Sequence, residues 1–251
     1  MYRVFIVIAF LAYFSAPAQE ELYDGEEGVL TRYLQYGGVT LHSNGFGAFY
    51  HYGWNVTAHK SYLLGVEAVT MKHDKEIKTF NPGYPNDSKS YVYGKLNNFY
   101  ILRPTLTIRN IIADKLRYSG VQVGYVFQTG PSLGITKPVY LEIGYPSFPY
   151  EYIAVEKYDP NKHYLDDIFG RASGLNGLNE LKLHPGWFAK FGLNFEYSNE
   201  RYVLKGLEAG VAFDGYLRDI PIMADFEEPN KQLFLTFYLN FFIGSKFNKQ
   251  E

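Results

Sequence analysis

The strongest constraint on the fold is an alternation of apolar residues with small or polar residues at a period of two. In segment 46–56, FGAFYHYGWNV, the even positions are almost all aromatic or aliphatic, whereas the odd positions include two glycines, His51 and Asn55. Successive side chains of a β-strand point to opposite faces. The segment is therefore predicted to be a strand with one continuous apolar face that includes Tyr52 and Trp54.

The same pattern recurs along the chain, and its polarity is informative. A soluble sheet would turn the apolar face inward and leave a charged outer face. Here the less apolar face is rich in glycine and amides, which suits the crowded interior of a narrow barrel. Apolar-out, polar-in strands of about ten residues flanked by aromatics are typical of outer-membrane barrels. We predict an all-β, transmembrane antiparallel barrel that contacts outer-membrane lipid and lipopolysaccharide, with further strands in segments 61–71, 95–110, 120–128, 186–198, 201–216 and 233–244.

The N-terminus predicts export. Residues 1–18 combine Arg3, an apolar run and the small-residue site Ala16-Pro17-Ala18, as a secretory signal peptide does. A membrane anchor is the alternative, but the apolar run is shorter than the roughly 20 residues of a spanning helix. Residues 19–31 are predicted to be a periplasmic leader, 32–247 the barrel and 248–251 a short tail, in the bacterial outer membrane.

The number of strands follows from parity. A simple count gives nine strands, whereas bacterial barrels of this kind have an even number with both termini at the periplasmic end. Treating 117–143 as one long, bulged strand gives eight. Ten strands remain the alternative if segment 144–184 adds a hairpin. The long outer loops are then 72–90, 144–184 and 217–231.

Charged residues at inward positions predict a filled barrel interior. An eight-stranded barrel is too narrow for an aqueous channel, and a buried charge without a partner is costly. Four acids and four bases are therefore expected to neutralise one another, although a charge-selective pore is the functional alternative. The predicted luminal charge network comprises Glu67, Lys95, Arg103, Arg109, Lys190, Glu196, Glu208 and Asp214.

Other features argue against several function classes. The formal net charge is −2, so nothing indicates a nucleic-acid partner, and the chain contains no cysteine. Its six histidines lack the spacing of a metal motif. Asp159, Asp166 and Asp167 do not have the spacing of an EF-hand loop. We expect no enzymatic activity, no catalytic residue, no cofactor and no metal site.

The long loops are the candidate interaction surface. Aromatic residues, methionine and proline in exposed segments favour protein contacts. An equally plausible arrangement has these loops folding over the barrel mouth and packing on each other. The candidate partner-contact residues are Tyr145, Phe148, Tyr150, Tyr152, Ile220, Ile222 and Met223.

Segments YGKLNNFYILRPTLTIRN (93–110) and GVQVGYVFQTGPSLGITKPVYLEI (120–143) resemble a family of small, uncharacterised outer-membrane barrel proteins of Bacteroidota. The resemblance implies an outer-membrane barrel and carries over no functional residue. Small barrels often belong to larger outer-membrane machines in that phylum. The expected function is a non-enzymatic subunit or scaffold of an outer-membrane complex for protein assembly or export. The alternative is a lipid-modifying enzyme or a narrow transport pore.

Overall fold

The computed structural model describes residues 31–84, 87–115, 120–147, 149–198, 200, 202–224 and 230–248. The predicted signal peptide, all of the leader except Thr31, and residues 249–251 lie outside these ranges. No helix in the described part of the chain is long and apolar enough to span a membrane. The strands there are β1 (Tyr33–His42), β2 (Gly45–Asn55), β3 (Lys60–Met71), β4 (Lys78–Thr79), β5 (Tyr91–Val92), β6 (Asn97–Ala113), β7 (Gln122–Pro138), β8 (Tyr140–Tyr145), β9 (Tyr152–Lys157), β10 (Ile168–Arg171), β11 (Lys182–Glu196), β12 (Val203–Tyr216) and β13 (Leu233–Phe247).

Eight strands form one closed antiparallel barrel in the order β1-β13-β12-β11-β7-β6-β3-β2. Closure comes from the pairing of β1 with β13, which places Tyr33 opposite Phe247. The eight-stranded prediction is confirmed. The ten-stranded alternative is wrong, because β8, β9 and β10 form a separate three-stranded sheet in the order β10-β8-β9.

The two ends of the barrel differ in their connections. The β1–β2 hairpin and the long segments that follow β3, β7 and β12 lie at one end, which we call the long-loop end. Shorter connections and both barrel termini lie at the opposite, short-turn end. In outer-membrane barrels the long loops are extracellular and the short turns periplasmic.

The orientation of the alternating faces is as predicted. Phe237 in β13 is 69% exposed and Phe46 in β2 is 58% exposed, whereas His51 is 1% exposed. The outer face therefore carries the aromatic and aliphatic side chains, and the polar side chains point inward. This arrangement is that of a transmembrane β-barrel, whose outer surface contacts hydrocarbon rather than water.

Glycine on the inward face reflects crowding, as Gly65 illustrates. A Cβ atom added there would lie 2.5 Å from the Tyr50 carbonyl oxygen and 2.8 Å from the Thr105 hydroxyl oxygen. No larger residue fits without displacing the neighbouring strands. Inward glycines thus let polar side chains from the other strands occupy the narrow bore.

One predicted strand has different bounds. Segment 117–143 was expected to be a single strand, but the barrel strand β7 ends at Pro138 and β8 belongs to the separate sheet. The Val139 amide donates to the Leu96 carbonyl at 2.9 Å, away from the β11 ladder. Pro138 has no amide hydrogen to extend the ladder. The chain therefore leaves the barrel at Pro138 rather than at the end of segment 117–143.

Candidate functional site

The middle of the barrel holds a buried cluster of four charges. Arg103 Nε and Nη2 donate to Asp214 Oδ1 and Oδ2 at 2.9 and 2.6 Å. Arg103 Nη1 also lies 3.3 Å from Glu67 Oε2, and Lys190 Nζ donates to Glu67 Oε1 at 2.9 Å. We call these residues the central charge cluster. Its two acids and two bases balance, as the sequence predicts for half of the network.

Strand register and aromatic contacts hold this cluster in place. Glu67 of β3 lies directly opposite Arg103 of β6 in the ladder. The Arg103 guanidinium lies 5.4 Å from the centre of the Phe188 ring, and Lys190 Nζ lies 4.0 Å from the centre of the Tyr238 ring. Cation–π contacts of desolvated cations are worth about 2 kcal/mol. The aromatic rings therefore replace part of the water that these cations lose.

Glu208 departs from the predicted mutual neutralisation. No described base forms an ion pair with it. Its Oε1 instead accepts hydrogen bonds from the Tyr238 hydroxyl at 2.8 Å and from the Gln128 and Asn240 amides at 3.3 Å each. The prediction of an acid–base partner is wrong here, because neutral donors satisfy the carboxyl group.

A second charge cluster closes the short-turn end. Glu196 contacts Arg109 Nη2 at 2.9 Å, Lys246 Nζ at 2.9 Å and Lys115 Nζ at 3.3 Å. Sequence reasoning predicted Glu196 and Arg109 but missed both lysines. Alternate residues of β13 point inward, and Lys246 is the next such residue after Gly244. The alternation pattern alone could therefore have identified Lys246.

Lys95 is not a member of the luminal network. It lies before the first residue of β6, and its Nζ donates to Glu76 Oε2 at 2.5 Å in the segment between β3 and β4. The prediction is wrong because the strand begins two residues after Lys95. The alternation of inward and outward side chains in β6 therefore does not include Lys95.

Segment 217–224, which we call the mouth strap, covers the long-loop end of the bore. Asn97 Nδ2 donates to the Pro221 carbonyl at 2.7 Å, and the Leu96 amide donates to the Ile222 carbonyl at 2.9 Å. Ile220 and Ile222 are 0% and 1% exposed. They belong to an apolar cluster with Val69, Met71, Phe99, Ile101 and Tyr216, against which Met223 packs.

These positions correct part of the predicted contact surface. Ile220, Ile222 and Met223 were expected to face partners, but they pack inside the barrel mouth, so that prediction is wrong in this structure. The packing of loops over the mouth, the alternative arrangement, is what the mouth strap shows. Hydrophobic burial favours it, because each isoleucine loses nearly all contact with water.

The long-loop sheet, formed by β8, β9 and β10, has its own apolar core. The buried members of that core are Tyr91, Leu141, Ile143, Tyr158 and Ile168. Burial raises the pKa of Tyr91 to about 12 and that of Tyr158 to about 12. Segment 144–184, which the sequence predicts to be a loop, is therefore part of a folded element. The rings of Tyr91 and Tyr158 are shielded from water in its core.

The remaining contact candidates lie around this sheet. Tyr145 stacks on Tyr152 with ring centres 5.5 Å apart, and its hydroxyl donates to Glu156 at 2.9 Å. That hydrogen bond raises the pKa of Tyr145. Tyr150 is held by Asn81 Nδ2 and the Asp166 carbonyl, whereas Tyr152 is 61% exposed. Phe148 lies outside the described residues.

The aspartates of the long loop cap local turns. Asp167 accepts hydrogen bonds from Ser147 Oγ at 2.6 Å and from the Tyr164 amide at 3.2 Å, and Asp159 accepts one from the Asn161 amide at 3.0 Å. Among the residues that the structure describes, no group of three or more His, Asp or Glu side chains has the arrangement of a metal site.

Comparisons with known proteins give structural matches only. No family model matches the chain, and no curated protein matches it. The crystal structure of Neisserial surface protein A (NspA) is similar at a TM-score of 0.40 and 10% identity, covering 86% of this chain and 96% of that one. The crystal structure of Ail, the attachment invasion locus protein of Yersinia pestis, is similar at a TM-score of 0.41 and 7% identity, covering 86% and 99%.

Proposed function

We propose that this chain is a non-enzymatic barrel of the bacterial outer membrane that acts as a subunit or scaffold of a membrane complex for protein assembly or export. The supporting observation is the combination of a blocked bore with a folded long-loop sheet. The central charge cluster crosses the bore, and the mouth strap buries Ile220 and Ile222 above it. Such a barrel is suited to holding an external surface at the membrane.

The blocked bore favours an anchoring role over transport. Moving a solute through the bore would require breaking the ion pairs of Arg103 with Asp214 and Glu67, whose side chains are almost fully buried. Breaking a buried pair leaves an uncompensated charge and costs on the order of 3–5 kcal/mol. The apolar cluster under the mouth strap adds a second barrier.

The folded long-loop sheet favours contact with other proteins. Tyr152 is 61% exposed and Tyr164 is 62% exposed, although both lie in an ordered region with its own core. Exposed tyrosines on a rigid support provide large contact area at low entropic cost. The expected partners are protein subunits at the extracellular face, together with the lipid and lipopolysaccharide around the barrel.

Affinity purification of tagged chain from native membranes in mild detergent tests this proposal. We expect a stoichiometric protein partner, whose recovery falls with Tyr152→Ala or Tyr164→Ala. Leu217→Ala, at an exposed residue of the mouth strap, is the matched control and should leave recovery unchanged. Recovery of the chain with lipid alone, under several mild detergents, would contradict the subunit role.

A further inference from the structure

The long-loop sheet has one uncovered edge. In the order β10-β8-β9, β9 pairs with β8 on one side only. The opposite edge of the sheet is covered, since the Arg171 amide of β10 donates to the Lys89 carbonyl at 3.4 Å. Within the described part of the chain, no strand pairs with the outer side of β9. An exposed edge of this kind is a template for pairing with another strand.

The ladder phase shows which backbone groups face outward. The Tyr158 amide donates to the Val139 carbonyl at 2.9 Å in the same register that places Glu156 opposite Leu141 and Ala154 opposite Ile143. Backbone groups of alternate residues point to opposite sides in an antiparallel ladder. The backbone amides and carbonyls of Ile153, Val155 and Lys157 therefore point away from β8.

The sequence of this edge is complementary to itself. Two copies of segment 151–157, EYIAVEK, aligned antiparallel about Ala154, place Ile153 opposite Val155 and Glu151 opposite Lys157. The backbone groups of Ile153 and Val155 point outward, so these two residues would form hydrogen-bonded pairs with their symmetry mates. The Glu151 amide donates to the Tyr145 carbonyl at 2.7 Å, so Glu151 and Lys157 would pair through their side-chain charges. Opposite charges and β-branched residues are favourable cross-strand pairs, and two-fold symmetry repeats each pair.

We propose that two copies of this chain associate through their β9 edges about a two-fold axis at Ala154, which joins the two long-loop sheets into one six-stranded sheet. Ile153 and Val155 are about half exposed, so their side chains are accessible for such pairing. Lys157 contacts Glu180 in the single chain, and its three donors allow a second contact with Glu151 of the other copy. An edge with three outward-pointing residues is a small interface, but confinement of both copies in one membrane raises their effective concentration.

Disulfide trapping tests the register, because the chain contains no cysteine. In Ala154→Cys the two Cβ atoms of a non-hydrogen-bonded pair would be about 4.5–5.5 Å apart, within reach of a disulfide after small adjustment. Tyr152→Cys is the matched control, since its symmetry mate would lie four residues along the strand, roughly 13 Å away. Tyr152 is the more exposed residue, so random collision would favour the control.

We expect oxidised Ala154→Cys to run as a covalent dimer and Tyr152→Cys to remain monomeric. Adding Val155→Pro to Ala154→Cys should abolish the dimer, because proline removes an outward amide without removing a bond to β8. Folding of each variant is checked by the heat-dependent shift in gel mobility. Monomeric Ala154→Cys, equal cross-linking at both positions, or a strand of another protein at this edge would overturn the proposal.

Discussion

Arg103 and Asp214 are 111 residues apart in the sequence, yet they form a bidentate ion pair inside the barrel with N–O distances of 2.9 and 2.6 Å. Arg103 simultaneously contacts Glu67, which binds Lys190. This pair connects the β6 and β12 sides of the bore. The central charge cluster therefore both fills the interior and links strands that are not neighbours in the barrel.

Replacing Arg103 with methionine should destabilise the barrel strongly. Arg103→Met leaves Asp214 buried without its partner, and breaking a buried pair costs on the order of 3–5 kcal/mol. Urea unfolding in detergent, followed by gel mobility, measures the change. Arg218→Met at an exposed position is the matched control. In the Arg103→Met/Asp214→Leu double variant part of the loss should be recovered; additive losses would contradict direct coupling.

The wild-type chain should not form stable channels in planar bilayers. Within the described part of the chain, the central charge cluster and the buried Ile220 and Ile222 occupy the bore at two levels, and the interior of an eight-stranded barrel is filled by side chains. Single-channel recording on purified protein measures this directly, with a wide porin as the positive control. Reproducible conductance steps that appear with the wild type and disappear when it is heat-unfolded would support the pore alternative.

His51 should tolerate an apolar replacement. The ring is 1% exposed, no described group forms a hydrogen bond with either of its nitrogens, and its centre lies 5.2 Å from the Tyr36 ring. His51→Phe keeps the ring contacts and removes two unpaired polar atoms, whose burial costs about 1–3 kcal/mol. The urea midpoint of unfolding should therefore be equal to or higher than that of the wild type for His51→Phe, and lower than that of the wild type for His51→Ala. A lower midpoint for the phenylalanine variant would indicate an essential polar contact at this ring.

A cation on the lipid-facing belt should destabilise the inserted barrel. Leu235 of β13 is 66% exposed on the outer face. Leu235→Arg is expected to cost about 2–4 kcal/mol at the bilayer midplane and less nearer an interface. Folding of the chain into lipid vesicles at a series of urea concentrations measures the loss of stability. Leu217→Arg in the mouth strap, at a residue that is 78% exposed but lies outside the belt, should be near neutral. Equal effects of the two substitutions would argue that the belt faces water.

The long-loop sheet should lose stability at high pH. Tyr91 and Tyr158 have pKa values raised to about 12 by burial, whereas unfolded tyrosines titrate near 10. Because the folded state holds these protons more tightly, stability is unaffected below about pH 10 and falls as the pH rises toward about 12. Limited proteolysis of the long-loop end across this range measures the effect. Tyr91→Phe/Tyr158→Phe should shift the onset to higher pH, and an unchanged onset would contradict the assignment.

The face of each strand that meets lipid can be read from the amino-acid sequence alone. Period-two alternation is a local property, so the outward position of Phe237 and the inward position of His51 follow from their neighbours in the chain. The even strand number likewise followed from a general rule for such barrels. Glu67, Arg103, Lys190 and Asp214 could be assigned to the interior on the same grounds.

The contacts among the interior groups depend on how the strands close into the barrel. The partners of Glu208 are neutral, and Glu196 contacts two lysines, because the barrel's stagger sets which inward positions share a level. The burial of Ile220 and Ile222, and the free edge of β9, depend on how loops pack after the strands have closed. Such contacts join residues far apart in sequence, and no local periodicity encodes them.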